Sequence, residues 1–122
     1  MTPCPCGSDE PYGACCGRLH AGERAVTAEQ LMRSRFAAFA VGDEAYLRRT
    51  WHRSTRPRRL DLDPAVRWTH LEIVDRVAGG PLDTDGIVEF RAHHRVGGRP
   101  GVQAERSRFV REDGAWLYLA AE

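Results

Sequence analysis

All four cysteines of this chain lie within its first sixteen residues, as Cys4-Pro5-Cys6 and Cys15-Cys16. Two thiolate pairs that face each other across a short loop can complete the tetrahedron of four sulfurs that suits Zn²⁺. The same segment is rich in proline and glycine and has almost no apolar side chains, so it cannot fold around a hydrophobic core. We therefore predict that a metal ion organises this segment and that the segment is disordered without it.

Two other roles for the cysteines are less favoured. Structural disulfides belong to secreted proteins, but the amino terminus Met1-Thr2-Pro3 lacks a basic stretch followed by an apolar one. No later segment approaches the eighteen or so apolar residues of a membrane span, so we expect the chain in the cytoplasm. Neighbouring Cys15 and Cys16 are too close in the chain to bridge each other without distortion. A redox role lacks the Cys-x-x-Cys spacing.

The cysteine spacing leaves one ligand open. Cys4, Cys6 and Cys15 are the firm candidates, and the fourth position is assigned to Cys16, with His20 as the alternate ligand one helical turn further on. Four protein ligands leave no coordination position for a reactive water, so the predicted zinc is structural rather than catalytic.

These residues resemble the SEC-C zinc motif found at the C-terminal tail of the bacterial preprotein translocase ATPase. The matching residues are Cys4-Pro5-Cys6-Gly7-Ser8, then Tyr12, then Cys15-Cys16-Gly17. The resemblance covers residues 4 to 17 and implies Cys4, Cys6, Cys15 and Cys16 as ligands. The chain departs from the motif at Asp9-Glu10-Pro11, where the motif usually has glycine and lysines. The basic contact surface of the motif is therefore not expected here.

The rest of the chain resembles the YchJ family of uncharacterised bacterial proteins. The resemblance rests on residues 28–36 with Ala38-Phe39, on residues 105–109, and on Trp116-Leu117-Tyr118. It implies a cone-shaped α+β domain of the type named after nuclear transport factor 2 and brings no established activity with it. We assign residues 1–22 to a SEC-C-like zinc-binding motif and residues 23–122 to the cone-shaped domain.

Local sequence patterns lead to the same fold class. Thr27 and Gln30 form a capping box before an apolar stripe that ends at Gly42, and Asp43 can cap a second, shorter helix. Strands are expected over residues 66–77, 86–96, 102–111 and 115–120, with turns at 79–81, at Gly97-Gly98 with Pro100-Gly101, and at 113–114. Helices before an antiparallel meander indicate an α+β fold whose helices cover one face of a curved sheet of about four strands.

Alternation along the predicted strands suggests a polar group inside the cone. If His94 and Glu105 lie on the covered face of the sheet, they could carry out acid–base chemistry on a small ligand. The favoured interpretation is that Glu105 satisfies hydrogen bonds in the core with Arg33, Arg35 or His94. The candidate ligand cavity comprises Arg33, Phe36, Phe90, His94, Glu105, Phe109, Trp116 and Tyr118.

A basic stretch at residues 48–59 is the remaining candidate site. Its six arginines and one tryptophan could contact phosphates and stack on a base. All eighteen basic residues of the chain are arginine, however, so a local excess of arginine is a weak signal. The formal net charge of +1 becomes about −1 when four thiolates bind Zn²⁺. We therefore favour a solvated, partly ion-paired surface over an RNA site.

These patterns together predict a zinc-binding, non-catalytic module that binds a protein partner or a small ligand. The first alternative is a ligand-binding or enzymatic cone that uses Glu105 and His94, and the second is an RNA-associated adaptor that uses residues 48–59. The sequence has no nucleophile motif or glycine-rich phosphate loop, which argues against catalysis. The exposed face of the sheet is the expected surface if the protein forms a homodimer.

Overall fold

The fold consists of a short amino-terminal segment, two helices in succession and a four-stranded sheet. The structure, a computed structural model, describes residues 2–122. The predicted zinc-binding segment begins at residue 1, which lies outside the described residues. The helices are α1 (Cys16–His20), α2 (Ala28–Val41) and α3 (Glu44–Arg49), and a 3₁₀ turn at Tyr12–Ala14 precedes α1. The strands are β1 (Val66–Ala78), β2 (Asp85–Val96), β3 (Arg99–Glu112) and β4 (Ala115–Ala121).

Local side-chain chemistry sets the ends of α2 and the start of α3. The Thr27 hydroxyl accepts a hydrogen bond of 3.0 Å from the backbone N–H of Gln30, which satisfies one of the free donors at the start of α2. Gly42 ends α2 with a left-handed φ of 78°. Asp43 then caps α3 by accepting from the backbone N–H of Tyr46 at 3.1 Å. Both predicted helices are confirmed.

The four strands form an antiparallel meander in the order β1-β2-β3-β4. A two-residue turn at Gly97-Gly98 joins β2 to β3, both glycines have positive φ, and Val96 pairs with Arg99 across the turn. Pro100-Gly101, which we predicted as part of this turn, lie in β3 instead. Because β4 pairs with β3 only over residues 107–112, the first half of β3 is an edge on that side. An edge tolerates a proline, which has no N–H to donate.

One face of the sheet packs against α2 and forms the core. The helix contributes Leu31, Met32 and Phe36, while β2 and β3 contribute the buried side chains of Phe90 and Phe109. Pairing shifts in β1 after Trp68 and after Ile73 mark bulges, which bend a strand and increase the local twist of a sheet. The predicted α+β fold, with helices packed against one face of a four-stranded antiparallel sheet, is confirmed.

The segment after α3 extends the sheet on the β4 side. The backbone N–H of Tyr118 donates to Thr50 O at 2.8 Å, and the backbone N–H of His52 donates to Tyr118 O at 2.8 Å. These two bonds hold Trp51 against Tyr118, with ring centroids 5.0 Å apart. Among residues 2–122, no helix combines the length and the apolar character that crossing a membrane requires.

Candidate functional site

The four cysteine sulfurs come together although they belong to two separate parts of the amino-terminal segment. The Sγ atoms of Cys4, Cys6, Cys15 and Cys16 all lie within 4.8 Å of one another, and none is in a disulfide. The Sγ atoms of Cys6 and Cys15 are 3.6 Å apart. Zn–S bonds of about 2.3 Å in a tetrahedron require a sulfur–sulfur distance of about 3.8 Å. The arrangement therefore fits one Cys₄ metal site.

Backbone hydrogen bonds hold the two cysteine pairs in place. The N–H of Cys4 donates to Glu10 O at 2.8 Å, and the N–H of Gly7 donates to Cys4 O at 3.1 Å, so the first pair lies in a closed loop. Cys15 immediately precedes α1, and Cys16 is its first residue. Cys4, Cys6 and Cys16 are buried. These four sulfurs are therefore positioned by short-range contacts and by burial.

The sulfurs influence one another's ionisation strongly. A hydrogen bond with Cys16 lowers the pKa of the Cys6 thiol to about 4, although burial opposes the shift. The same hydrogen bond, together with burial and the Cys6 charge, raises the pKa of Cys16, and burial raises that of Cys4. The Cys6 thiolate therefore suppresses the ionisation of Cys16. A divalent cation in their midst would offset this repulsion and allow all four to bind as thiolates.

His20, the alternate fourth ligand, has both ring nitrogens engaged elsewhere. Nδ1 is hydrogen-bonded to the hydroxyl of Tyr12, and Nε2 lies 2.8 Å from the carbonyl oxygen of Ser34 in α2. The imidazole therefore joins the amino-terminal segment to the long helix, and it is not part of the sulfur group.

Arg33 was predicted to line the cavity inside the cone. The structure places it instead at the loop of residues 4–10 that holds the first cysteine pair, the cysteine loop. Its Nη1 donates to Cys6 O at 2.9 Å, and its Nε donates to Glu29 at 2.8 Å. Positions 32, 35, 36 and 39 share the face of α2 that looks into the cone, and position 33 is turned away from that face. Arg33 therefore helps to dock the cysteine loop on α2.

A cavity of about 210 Å³ opens between the inner face of α2 and the sheet. Of the predicted cavity residues, Phe36, Phe90, Glu105 and Tyr118 line it. The remaining lining residues were not in the predicted set: Met32, Arg35, Phe39, Trp51, Trp68, Ala92 and Gln103.

Three predicted residues lie outside this cavity. Phe109 is fully buried in the core, and the indole N–H of Trp116 donates to Val26 O at 3.2 Å near the start of α2. His94 packs edge-on against Trp68, with ring centroids 5.0 Å apart.

The expected pair of Glu105 and His94 does not form, because of the strand register. Glu105 pairs with Phe90, whereas His94 pairs with Gly101. Four residues along β2 correspond to about 13 Å, which is too far for a contact between the two side chains.

Glu105 takes part in a hydrogen-bonded group on the cavity wall. Its Oε2 accepts from the hydroxyl of Tyr118 at 2.9 Å and from the hydroxyl of Ser107. Burial, followed by the Glu105 charge, raises the pKa of Tyr118 to about 12. These bonds agree with the favoured interpretation of Glu105 as a core carboxylate, although the partners are hydroxyl groups rather than an arginine or His94.

Arg35 is the charged cavity residue that the predicted set missed. Its guanidinium lies 5.1 Å from the ring centroid of Trp51 and 4.8 Å from that of Tyr118. Nη1 donates to Leu47 O at 2.9 Å and to Thr50 Oγ1 at 2.7 Å. Burial lowers its pKa to about 10, which leaves it charged at neutral pH. The helical spacing carried the signal, since residue 35 is three positions after Met32 and four before Phe39.

Several arginines of the basic stretch at residues 48–59 make hydrogen bonds within the chain. Arg48 Nη1 donates to the carbonyl oxygens of Pro57 and Arg58 at 3.0 Å, and Arg56 donates to Trp51 O. Arg53 pairs with Glu112 at 3.1 Å. The Arg53–Glu112 pair agrees with the partly ion-paired surface that we expected, whereas the hydrogen bonds of Arg48 and Arg56 to carbonyl oxygens leave their charges uncompensated.

A four-stranded meander covered by one long helix, with a cysteine cluster docked on that helix, is the architecture of an NTF2-like α+β protein with a SEC-C-type segment. Residues 27–121 match the family model described as YchJ, middle NTF2-like domain, and residues 2–18 match that of the SEC-C motif. The chain belongs to the YchJ/UPF0225 family.

Relatives from two bacteria are similar to this chain over most of their length. A UPF0225 protein of Streptomyces coelicolor is 57% identical over 121 residues, which cover 98% of this chain and 94% of that protein. One of Deinococcus radiodurans is 50% identical over 123 residues, with 99% and 89% covered.

Two solved structures share the fold. The solution structure of a SEC-C motif containing protein from Rhodopseudomonas palustris has a TM-score of 0.84 at 32% identity and covers 99% of this chain and 98% of that one. The crystal structure of a SEC-C motif containing protein from Psychrobacter arcticus has a TM-score of 0.81 at 26% identity, with 98% and 81% covered.

Proposed function

We propose that this is a cytoplasmic zinc protein in which a structural Cys₄ site organises residues 1–22 and the cone-shaped domain of residues 23–122 is a non-catalytic ligand-binding module. The observation that carries the metal proposal is the convergence of four sulfurs within 4.8 Å in a segment without a core of its own. Soft thiolates in a tetrahedral set suit Zn²⁺, and four of them fill its coordination sphere. The ion would then contribute folding energy rather than chemistry.

The contacts of the amino-terminal segment with α2 explain what a structural ion would do for the domain. Arg33 donates to Cys6 O, His20 lies against Ser34 O, and three cysteines pack with Ala37 of α2. The segment can make these contacts only while it is folded. Metal binding therefore supports the outer face of α2, the helix whose inner face lines the cavity.

The ligand-binding proposal rests on the cavity between α2 and the sheet. Its walls are mostly aromatic, and it holds two charged groups, Arg35 and Glu105. An apolar concave site with a few polar groups is the usual form of a small-molecule site. The carboxylate already accepts hydrogen bonds from Tyr118 and Ser107, which supports binding over proton transfer as the role of the site.

Metal analysis of the purified full-length chain tests the metal proposal. Native mass spectrometry should find one Zn²⁺ per chain, and Cys6→Ser or Cys16→Ser should abolish binding. The Co²⁺-substituted protein should show the strong visible absorption of a tetrahedral thiolate site.

The alternate ligand provides the matched control for this experiment. His20→Gln removes the imidazole and leaves the four sulfurs, so it should keep the full metal content. Loss of the metal in His20→Gln together with retention in Cys16→Ser would reverse the assignment of the fourth ligand. Wild-type protein that is metal-free and nevertheless has an ordered amino-terminal segment would overturn the proposal.

A further inference from the structure

Two of the three guanidinium nitrogens of Arg35, Nε and Nη2, make no hydrogen bond within residues 2–122. These two nitrogens form the free edge of the guanidinium. Only 4% of this residue is exposed, and its Nη1 is occupied by Leu47 O and Thr50 Oγ1. Its Nε and Nη2 donate to no acceptor among residues 2–122, and no carboxylate of that part of the chain lies within 4 Å of it. Glu105 acts on Arg35 only at longer range. Arginine is rarely this deeply buried unless it is paired with an anion.

Arg35 lines the cavity together with Trp51 and Tyr118, the two rings that its guanidinium contacts. Among residues 2–122, His94 Nδ1 is the fully enclosed side-chain polar atom without a hydrogen-bond partner. The unpaired nitrogens of Arg35 are therefore not fully enclosed, and the open space that Arg35 lines is the cavity. The Nε and Nη2 donors are parallel, and their spacing matches the two oxygens of a carboxylate.

The other lining residues determine what kind of chemical group can lie beside a carboxylate that is bound to Arg35. Phe36, Phe39, Trp51, Trp68 and Phe90 present aromatic surface. The cavity has a volume of about 210 Å³. Typical drug-sized sites begin at about 300 Å³, so this one suits a molecule with a single ring.

We propose that the cavity binds a small aromatic carboxylate, with the carboxylate paired to the Nε–Nη2 edge of Arg35 and the ring packed among Phe36, Trp68 and Phe90. The inference rests on the proposed ligand-binding role of the cone-shaped domain and does not depend on the metal. Glu105 also lines the cavity, so its charge reduces, without cancelling, the attraction of Arg35 for the carboxylate. A hydrogen-bond donor on the ring would offset this effect by pairing with the carboxylate.

Binding of phenylacetate to the full-length, metal-loaded chain tests the proposal. Trp51 and Trp68 line the cavity, so their fluorescence reports binding, and calorimetry confirms it. Two further probes test the parts of the proposed ligand separately. The neutral analogue 2-phenylethanol has the ring without the carboxylate, and inorganic phosphate has negative charge without the ring. We expect phenylacetate to bind at least about tenfold more tightly than either, because one well-formed charge-assisted pair is worth that factor or more.

Three variants assign the effect to Arg35. Arg35→Met should weaken phenylacetate binding at least about tenfold and change 2-phenylethanol binding less than about threefold. Arg91→Met is the matched control on the outer face of β2, and it should bind like the wild type. Glu105→Gln should strengthen phenylacetate binding about threefold or more by removing a like charge. An unfolded variant cannot produce that gain, so the proposal is testable even if Arg35→Met does not fold.

The other outcomes are also decisive. Equal binding of phenylacetate and 2-phenylethanol, or equal losses in Arg35→Met and Arg91→Met, would overturn the assignment of Arg35. Phosphate binding as tight as phenylacetate binding would overturn the aromatic part of the ligand. A fluorescence response to 2-phenylethanol alone would leave the proposed ligand-binding function intact and refute the carboxylate, whereas no response to any probe would count against both.

Discussion

The backbone of Gly79 lies close against Gly86 where β2 begins, and this contact leads to a prediction for Gly86→Ala. A Cβ atom on Gly86 would lie 2.5 Å from Gly79 Cα, 2.8 Å from Gly79 N and 3.4 Å from Ala28 Cβ. The first two are backbone atoms, which cannot rotate away. Their positions are held by bonds from Gly79 N to Asp85 O at 3.0 Å and from Ala28 N to Gly79 O at 2.9 Å.

The expected cost follows from these distances. Overpacking by one methyl group usually costs about 1–3 kcal/mol, and a backbone that must shift belongs at the upper end of that range. We therefore expect Gly86→Ala to lower the free energy of unfolding by about 3 kcal/mol. Since small domains have only about 5–15 kcal/mol of stability, this is a large fraction. The start of α2 should loosen as well, because Ala28 is its first residue.

Urea denaturation of the metal-loaded chain, followed by tryptophan fluorescence, measures the effect. Gly13→Ala is the control, because Gly13, like Gly86, has no left-handed φ, and no atom lies within 4 Å of an added Cβ. That variant shows the effect of an added methyl group without a steric clash. Equal losses in the two variants, or a loss below about 1 kcal/mol in Gly86→Ala, would refute the steric argument.

The remaining predictions concern one helix cap and one buried phenol. Thr27→Ala should cost about 1 kcal/mol in the same denaturation assay, because it removes the bond to Gln30 N, and an unchanged stability would contradict the capping role. Tyr118 should ionise near pH 12 rather than near 10, so the stability that its protonated form contributes is present below pH 10 and lost as the pH rises from 10 to 12. Spectrophotometric titration measures this ionisation, and Tyr118→Phe identifies the step that belongs to Tyr118. Glu105→Gln should move the pKa of Tyr118 back towards 10, and an unchanged pKa would exclude the Glu105 charge as a cause of the shift.

The sequence by itself determined the local structure and the class of the amino-terminal site. The cap at Thr27, the helix end at Gly42 and the strand alternation each depend on residues a few positions apart, and the structure confirms them. The four cysteines converge as their spacing suggests. The family resemblance and the fold class are also confirmed.

Only the tertiary structure decided what lies inside the cone. A turn at Gly97-Gly98 alone would have predicted the pairing of Phe90 with Glu105, but Pro100-Gly101 is an equally good turn signal, and the register changes with the choice. That register keeps His94 away from Glu105. Helical spacing places Arg35 rather than Arg33 on the apolar face of α2, but only the docking of the helix on the sheet decides what the Arg35 guanidinium contacts. Patterns over a few residues predict elements, whereas the neighbours of a buried charge depend on how distant elements are aligned.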